Sequence, residues 1–324
     1  MPTILIASLQ PGEGRSAVTA GLGACLAEAG RTVRLLRIRS AAGADPAAED
    51  DARTLAAVPG CASPGTAVNE QDAQAPAARA KGDEVVLIEA PPGPPRELAA
   101  RLSAKVVLVS AQTDDLRLGD VASAAATLGD ALLGVVMTRV PERRLASLPD
   151  LLRERGITCL AALPEDRLLA GPSVREMAEA LHASPLVELA DENEAVEFVM
   201  LGPISSDPGQ PYFLQHGSKV EDSPWRAVLN RFDKMDLHLA ALATEPDCLI
   251  LTGGQRPSPY LLDRVKGSDL PVTVLLSPEG TVRTMELLDD VYGRTRFSGQ
   301  RKLARAIELV RQRLDLAQLM RALA

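Results

Sequence analysis

The feature that most constrains the fold is an alternation of short apolar runs with helical segments through the first half of the chain. Strands that are apolar along their whole length are typical of a parallel sheet with helices on both faces. The pattern therefore predicts a doubly wound, mostly parallel α/β sheet. The predicted strands are residues 3–8, 32–38, 84–89, 105–110, 132–138 and 157–162. The helices predicted between and after them are residues 16–29, 46–57, 96–102, 118–128 and 145–155.

A second, smaller α/β domain is predicted to follow, because the composition changes at the short acidic segment 191–194. We expect a first domain over residues 1–190 and a second over residues 195–324. The strands predicted for the second domain are residues 196–201, 248–251 and 271–276. Its predicted helices are residues 235–243, 259–266, 281–291 and 300–314.

A turn with two glycines joins the first predicted strand to the first predicted helix. Residues 9–16 read Leu-Gln-Pro-Gly-Glu-Gly-Arg-Ser, which aligns with the phosphate-loop pattern G-x-x-x-x-G-K-[ST]. The glycines permit a tight curl that points backbone N–H groups inward, and the following helix adds its positive dipole end. The turn therefore predicts a nucleotide-binding domain of the P-loop NTPase type. The residues predicted to hold the nucleotide phosphates are Gly12, Glu13, Gly14, Arg15, Ser16 and Ala17.

Two residues depart from the phosphate-loop pattern, since Leu9 replaces the first glycine and Arg15 replaces the lysine. Arginine keeps the charge and suits phosphate oxygens, but it is larger than lysine. We therefore expect the site to retain nucleotide binding more readily than catalysis. The alternative interpretation is a strand–turn–helix junction that needs glycine for its geometry alone.

Polar side chains near this loop have the chemistry to hold Mg²⁺. Ser16 stands where the metal-binding hydroxyl lies in a phosphate loop. Glu89 ends a predicted strand, and ligands gather at the carboxyl ends of parallel strands. Asp45, after the second predicted strand, is a weaker candidate. The alternative for Glu89 is a carboxylate that simply faces water.

The strand predicted over residues 132–138 also ends in polar residues. We expect Thr138 and Arg139, at that end, to contact the purine base or the ribose of a nucleotide. Taken alone, an arginine in such a position is more often a solvated surface residue.

Composition excludes several classes of partner. The net charge is −8 and aromatic residues make up only 2% of the chain, so we expect no nucleic-acid partner. No apolar run is long enough to span a bilayer, and the first residues lack the basic segment of a secretion signal. We therefore expect a cytoplasmic protein with no membrane partner.

The first half of the chain resembles the dethiobiotin synthetase-like domain in the front part of long phosphotransacetylases. The segments that carry this resemblance are residues 11–16, 86–89, 134–140, 163–169 and 172–176. The second half resembles the DRTGG domain of the same proteins through residues 230–231, 251–257 and 293–296. Asn230 stands where that family usually has Asp, and Thr138 where the synthetases have Asn.

The resemblance implies ATP or another nucleotide and Mg²⁺ in the first domain, and a small-molecule effector in the second. The residues expected to line that second ligand site are Arg231, Thr252, Gly253 and Gly254. It also implies a homodimer or other homo-oligomer. The long phosphotransacetylases carry an acetyltransferase domain after the DRTGG domain, and residue 324 follows soon after it here. We therefore expect no acetyl-transfer activity.

These features leave three functional hypotheses open. The first is a nucleotide-binding regulatory or ligand-sensing protein. The second is an ATP-dependent ligase or carboxylase of the dethiobiotin or cobyrinate synthetase type, and the replacement of lysine by Arg15 weighs against it. The third is a scaffold that binds no nucleotide. We assign no catalytic residue and expect at most a weak ATPase or ligase activity.

Overall fold

The computed structural model describes residues 3–40, 46–79, 83–111, 116–188, 191–202, 224–268 and 271–323. The chain divides into two compact units. The first comprises residues 1–166 and 296–324, and the second comprises residues 167–295.

Strands and helices are numbered along the chain over the described residues. The strands are β1 (Thr3–Ala7), β2 (Val33–Arg37), β3 (Cys61–Ala62), β4 (Val85–Glu89), β5 (Lys105–Ala111), β6 (Leu132–Val140), β7 (Cys159–Pro164), β8 (Ser184–Val187), β9 (Phe198–Leu201), β10 (Arg226–Arg231), β11 (Cys248–Thr252) and β12 (Thr273–Leu276). The helices are α1 (Arg15–Glu28), α2 (Pro46–Leu55), α3 (Glu70–Arg79), α4 (Arg96–Arg101), α5 (Leu116–Leu128), α6 (Leu148–Glu154), α7 (Arg167–Ala170), α8 (Val174–Ala180), α9 (Met235–Leu242), α10 (Pro259–Lys266), α11 (Thr281–Val291), α12 (Gln300–Arg313) and α13 (Leu316–Leu323).

The first unit is built on a seven-stranded sheet with the strand order β3-β2-β4-β1-β5-β6-β7. Neighbouring strands pair in parallel throughout. The apolar side chains of β1, β4 and β5 are buried because helices cover both faces of the sheet. The predicted doubly wound parallel sheet is confirmed. The central strand β1 has β4 on one side and β5 on the other, so the carboxyl ends of these strands meet where α1 begins.

The C-terminal helices belong to the first unit, whereas the sequence placed them in the second domain. Helix α12 packs against α1, and Leu303, Ile307 and Val310 lie in the same apolar core as the residues of β1 and β4. The expected boundary at residues 190–195 also falls inside the second unit. The sequence suggested a division into two consecutive segments, but the chain leaves the first unit after Asp166 and returns to it at Arg296.

The region between β2 and β4 holds more regular structure than the sequence predicted. Helix α2 lies close to the predicted helix at residues 46–57, but α3 and the short strand β3 were both expected to be loop. Helix α3 has mostly polar residues and alanines and contains Pro76, so its sequence lacks a clear apolar face.

The second unit is a smaller α/β unit with a five-stranded sheet in the order β8-β12-β11-β10-β9. Strands β9 to β12 pair in parallel, and β8 is antiparallel to β12. The sequence did not predict β8 or β10. Strand β10 begins and ends with arginine, which leaves only a short apolar run between its charged ends.

Within the described part of the chain, no helix combines the length and the apolar character needed to cross a membrane.

Candidate functional site

The turn between β1 and α1 has the backbone of an anion-binding loop. Gly12 and Gly14 both adopt left-handed conformations, with φ of 72° and 87°. Gly14 is the N-cap of α1 and supplies no side-chain cap, and the first amides of a helix have no intrahelical acceptors. The amides of Arg15, Ser16 and Ala17 are therefore candidate donors to an anion at the positive end of the helix.

The side chain of Glu13 holds this loop closed. The carboxylate is buried, and its Oε2 accepts from the Gln10 amide at 3.0 Å. Its Oε1 accepts from Ser110 Oγ at 3.2 Å, which ties the loop to the end of β5. The Glu13 carboxylate thus has a structural role, and any contact of Glu13 with phosphate would come from its backbone.

Thr138 and Arg139 support the loop from the end of β6. Thr138 Oγ1 donates to the carbonyl of Glu13 at 2.8 Å, and Arg139 Nη2 donates to the carbonyl of Gly12 at 2.7 Å. Both side chains therefore lie beside the predicted phosphate site. Their expected contact with a base or ribose stays a prediction.

Ser16 and Glu89, the two residues predicted to hold Mg²⁺, lie together. Ser16 Oγ donates to Glu89 Oε1 at 2.9 Å. Glu89 is only 1% exposed, and its Oε2 has no hydrogen-bond partner among the described residues. The sheet register explains this, because Glu89 pairs with Ile6 near the end of β1, just before the loop.

Two further charged residues, Arg37 and Asp51, complete this buried cluster. Arg37 Nε lies 3.2 Å from Glu89 Oε1 and 3.4 Å from Asp51 Oδ2. Arg37 ends β2 and is directly in register with Glu89 on β4. Neither residue was predicted from the sequence to belong to the site. The strand-end rule that identified Glu89 applies equally to Arg37, whereas nothing local distinguishes Asp51 from its acidic neighbours Glu49 and Asp50.

Burial, with the charge of Glu89 nearby, raises the pKa of Asp51 to about 7. The charge of Arg37 and the hydrogen bond that it donates to Asp51 oppose this rise. The Asp51 carboxyl is therefore expected to exchange between its neutral and charged forms close to neutral pH.

The guanidinium of Arg15 is directed to the end of β4. It is buried, and its Nη1 donates to the carbonyl of Ala90. Burial lowers the pKa of Arg15, and the nearby charge of Glu89 opposes that shift. Arg15 therefore already has a protein acceptor in the position where a phosphate-loop lysine would be expected to reach the phosphates.

The residues around Ser16 fit a divalent cation of the Mg²⁺ type. Hydroxyl and carboxylate oxygens are the ligands that Mg²⁺ prefers, and the unpartnered Oε2 of Glu89 supplies a buried acceptor. Within the described ranges, no group of three or more His, Cys, Asp or Glu side chains could hold a metal. An ion here would complete its shell with water and substrate phosphates, as Mg²⁺ commonly does. Asp45, the weaker candidate, lies outside the described residues.

In the second unit, backbone hydrogen bonds join the Thr-Gly-Gly turn after β11 to the segment that follows β12. The amide of Gly253 donates to the carbonyl of Glu279 at 2.7 Å, and that of Gly254 donates to the carbonyl of Ser277 at 3.0 Å. Both glycines have positive φ, and a Cβ on Gly253 would lie 2.9 Å from the Phe232 ring. Gly253 and Gly254 were expected to line a ligand site, and their amides already have acceptors within the protein.

The other two residues predicted for the second-unit site lie at the same edge of the sheet. Arg231 and Thr252 are paired in register at the ends of β10 and β11. Arg231 forms a two-point ion pair with Asp233, at 2.9 and 3.0 Å. Thr252 Oγ1 lies 3.0 Å from Thr281 Oγ1 at the start of α11. Arg231 and Thr252 therefore place polar side chains at this edge of the sheet, whereas Gly253 and Gly254 have none.

The fold and the loop define the first unit as a P-loop NTPase-like α/β unit. Residues 224–291 match the DRTGG domain family, so the second unit contains a DRTGG domain. The resemblance of the chain to long phosphotransacetylases stays a prediction.

Solved structures with similar folds include a nucleotide-binding protein from Archaeoglobus fulgidus in complex with ADP, with 18% identity over 51% of this chain and 82% of that one, and a TM-score of 0.35. Cobyrinic acid a,c-diamide synthase from Mycobacterium smegmatis, with bound ADP and magnesium, is 19% identical over 52% of this chain and 88% of that one, with a TM-score of 0.34. The CBS and DRTGG domains of the regulatory region of Clostridium perfringens pyrophosphatase, complexed with the activator diadenosine tetraphosphate, are 12% identical over 48% of this chain and 72% of those domains, with a TM-score of 0.29. The fold of the first unit is defined by its own strand order.

Proposed function

We propose that this protein is a nucleotide-binding regulatory protein whose first unit holds the phosphates of a nucleotide at the start of α1, with Mg²⁺ on Ser16 and Glu89. One observation carries the proposal. Ser16 Oγ lies 2.9 Å from Glu89 Oε1, and the second oxygen of that buried carboxylate has no partner in the described chain. A buried carboxylate oxygen without a partner is costly unless a ligand satisfies it.

The contacts of the loop support phosphate binding at this position. Gly12 and Gly14 have the left-handed backbone that points successive amides to one side, and α1 contributes its dipole. Side chains of Glu13, Thr138 and Arg139 hold the loop in shape before any ligand arrives. A preformed site of this kind loses little free energy to ordering when the nucleotide binds.

Binding without efficient phosphoryl transfer is the form of this function that we favour. Phosphoryl transfer depends on positive charge placed on the transferred group. The guanidinium of Arg15 donates to Ala90 O, and that of Arg37 pairs with Glu89 and Asp51. We expect release of inorganic phosphate from ATP to stay at the level of a buffer control.

Isothermal titration calorimetry with ATP, ADP and GTP, each with and without Mg²⁺, tests the proposal. In the wild type, at least one nucleotide should bind more tightly with Mg²⁺. Ser16→Ala and Glu89→Gln should remove most of the Mg²⁺-dependent gain, a loss of about tenfold in affinity, or roughly 1.4 kcal/mol. Ser123→Ala is the control, because Ser123 is an exposed serine on α5 of the same unit. The absence of any nucleotide binding, with or without Mg²⁺, would leave the scaffold hypothesis.

For the DRTGG-containing unit we propose a regulatory role, with an anionic effector near Arg231 and Thr252. These side chains lie at the carboxyl edge of a parallel sheet, where ligands of α/β folds commonly bind. Arg231→Gln should abolish any thermal stabilisation of this unit by a panel of nucleotides, while Arg226→Gln, on the same strand, should leave it unchanged. Light scattering of the intact protein tests the expected homodimer.

A further inference from the structure

Arg37 lies beside the proposed cation site and pairs with its carboxylate. Its Nε is 3.2 Å from Glu89 Oε1 and 3.4 Å from Asp51 Oδ2. Ser16 Oγ donates to the same Glu89 oxygen at 2.9 Å. The guanidinium therefore contacts the Glu89 carboxylate that a divalent cation near Ser16 would use, and also the neighbouring Asp51 carboxylate, while Glu89 Oε2 has no partner among the described residues.

The surroundings of Arg37 hold its side chain in this place. The residue is 5% exposed and sits at the end of β2, between β3 and β4 in the sheet. Its Nη1 also donates to the carbonyl of Ile38. A guanidinium that left these acceptors inside the protein would lose its hydrogen bonds without gaining water, so we expect the ion pairs to persist.

These four buried side chains carry no excess of negative charge. Arg15 and Arg37 supply two guanidiniums, whereas Glu89 and Asp51 supply two carboxyl groups, of which Asp51 is only partly ionised near neutral pH. A divalent ion would add two positive charges next to Arg37, at a distance where repulsion is strong in a buried environment. Phosphates of a bound nucleotide would bring the missing negative charge.

We propose that Arg37 is the residue that determines the cation requirement of this site: it takes the place of a divalent cation in the nucleotide-free protein, so that Mg²⁺ enters only together with the phosphates. This inference rests on the proposed function for the identity of the site. It implies that the protein without nucleotide has no usable divalent-cation site, although Ser16 and Glu89 are already side by side. It also implies that removing the Arg37 charge creates one.

The test is a titration of the nucleotide-free, full-length protein with MnCl₂, followed by the electron paramagnetic resonance signal of free Mn²⁺. The wild type should bind Mn²⁺ weakly. Arg37→Met removes the charge and keeps a long side chain, and it should bind one Mn²⁺ more tightly by about tenfold or more. Mg²⁺ should displace that ion.

Two control variants locate the effect. Arg34→Met removes the same charge from the same strand, but Arg34 is exposed and pairs with Glu84 at 3.1 Å, outside the cluster. It should bind Mn²⁺ as the wild type does. Adding Glu89→Gln to Arg37→Met should abolish the gained site, because the ion would lose its carboxylate. Circular dichroism confirms that each variant is folded, and Arg37→Gln replaces Arg37→Met if the latter is not.

Three outcomes would overturn the proposal. The first is saturable Mn²⁺ binding by the wild type as tight as that of Arg37→Met, or binding by the wild type that Glu89→Gln removes. The second is an equal gain in Arg34→Met. The third is a gain in Arg37→Met that survives Glu89→Gln. The Mn²⁺ titration contains no nucleotide, so its result does not depend on whether the protein binds one. Failure to bind any nucleotide in calorimetry would refute the proposed function, whereas the three outcomes above would refute the role of Arg37.

Discussion

Gly14 is constrained both by its own backbone and by a neighbouring side chain. Its φ is 87°, and a Cβ at this position would lie 3.3 Å from Thr138 Cγ2. Thr138 cannot easily move away, because its hydroxyl donates to the carbonyl of Glu13. The shape of the phosphate loop thus depends on a glycine for two independent reasons.

We predict that Gly14→Ala destabilises the protein by about 1–3 kcal/mol and abolishes nucleotide binding. Gly30→Ala is the matched control, since Gly30 also has a positive φ of 81° but has open space within 4 Å of the place that a Cβ would take. The Gly30→Ala variant should lose about as much stability as Gly14→Ala but keep the nucleotide affinity of the wild type. Thermal denaturation and calorimetry measure the two effects, and retained affinity in Gly14→Ala would contradict the assigned loop.

His238 makes the second unit sensitive to acid. The side chain is fully buried, and its Nε2 lies 2.6 Å from the carbonyl of Arg231, so this nitrogen carries the proton. Burial lowers the pKa of His238, although the carbonyl of Arg231 opposes this shift. The neutral form is therefore favoured in the folded state.

The stability that His238 contributes should be fully present above its ordinary pKa of 6.5 and lost as the pH falls below that value, because the unfolded chain takes up the proton first. Urea unfolding followed by the fluorescence of Trp225, the single tryptophan of the chain, reports on this unit. His238→Gln should flatten the decline in stability below about pH 6.5. An identical decline in wild type and variant would assign the acid sensitivity to other groups.

At the scale of elements, helices α1 and α12 approach each other closely at a glycine. A Cβ on Gly21 of α1 would lie 2.4 Å from Val310 Cβ on α12. The glycine therefore permits an approach that alanine does not. This contact holds the helix that begins at the phosphate loop.

We predict that Gly21→Ala costs about 1–3 kcal/mol through overpacking. Adding Val310→Ala should restore part of the loss, since it removes Cγ2, which would lie 2.4 Å from the new Cβ, while Val310 Cβ at the same distance remains. Gly119→Ala on α5 has open space around its Cβ and should be neutral or stabilising. Thermal melts of the variants measure these changes, and destabilisation that Val310→Ala does not relieve would argue against this packing.

The sequence predicted the elements that are encoded by a run of neighbouring residues. It did not predict those that depend on contacts between distant parts of the chain. The run from Thr3 to Ala7 and the glycines after it contain all the information needed for a strand, a turn and a helix. Strand β10 has charged ends and was missed, and Asp51 joins the site only because α2 packs near β2 and β4. Gly253 and Gly254 were expected to line a ligand site, but their amides donate to the carbonyls of Glu279 and Ser277, and no local sequence pattern encodes these contacts.

At the scale of the whole molecule, the first unit is completed by the last part of the chain. Leu303, Ile307 and Val310 of α12 are buried in the core that contains α1 and the strands beside it. Each buried aliphatic side chain contributes about 1.5–3 kcal/mol, and a domain is stable by only about 5–15 kcal/mol. The first unit therefore needs residues from both ends of the chain.

We predict that deletion of residues 296–324 unfolds the first unit. Far-ultraviolet circular dichroism should show loss of helix well beyond that of α12 and α13 themselves. Trp225 lies in the second unit, so its fluorescence should keep the native signal and its own melting transition. A truncated chain that melts like the full-length protein would show that the C-terminal helices are dispensable.

The central claim is that the turn between β1 and α1 holds nucleotide phosphates. The most direct test is a crystal structure of the protein grown with ADP and MgCl₂. We predict the β-phosphate at the amides of Arg15, Ser16 and Ala17, with the ion on Ser16 Oγ and a carboxylate oxygen of Glu89. A nucleotide bound elsewhere in the protein, with this turn empty, would contradict the account.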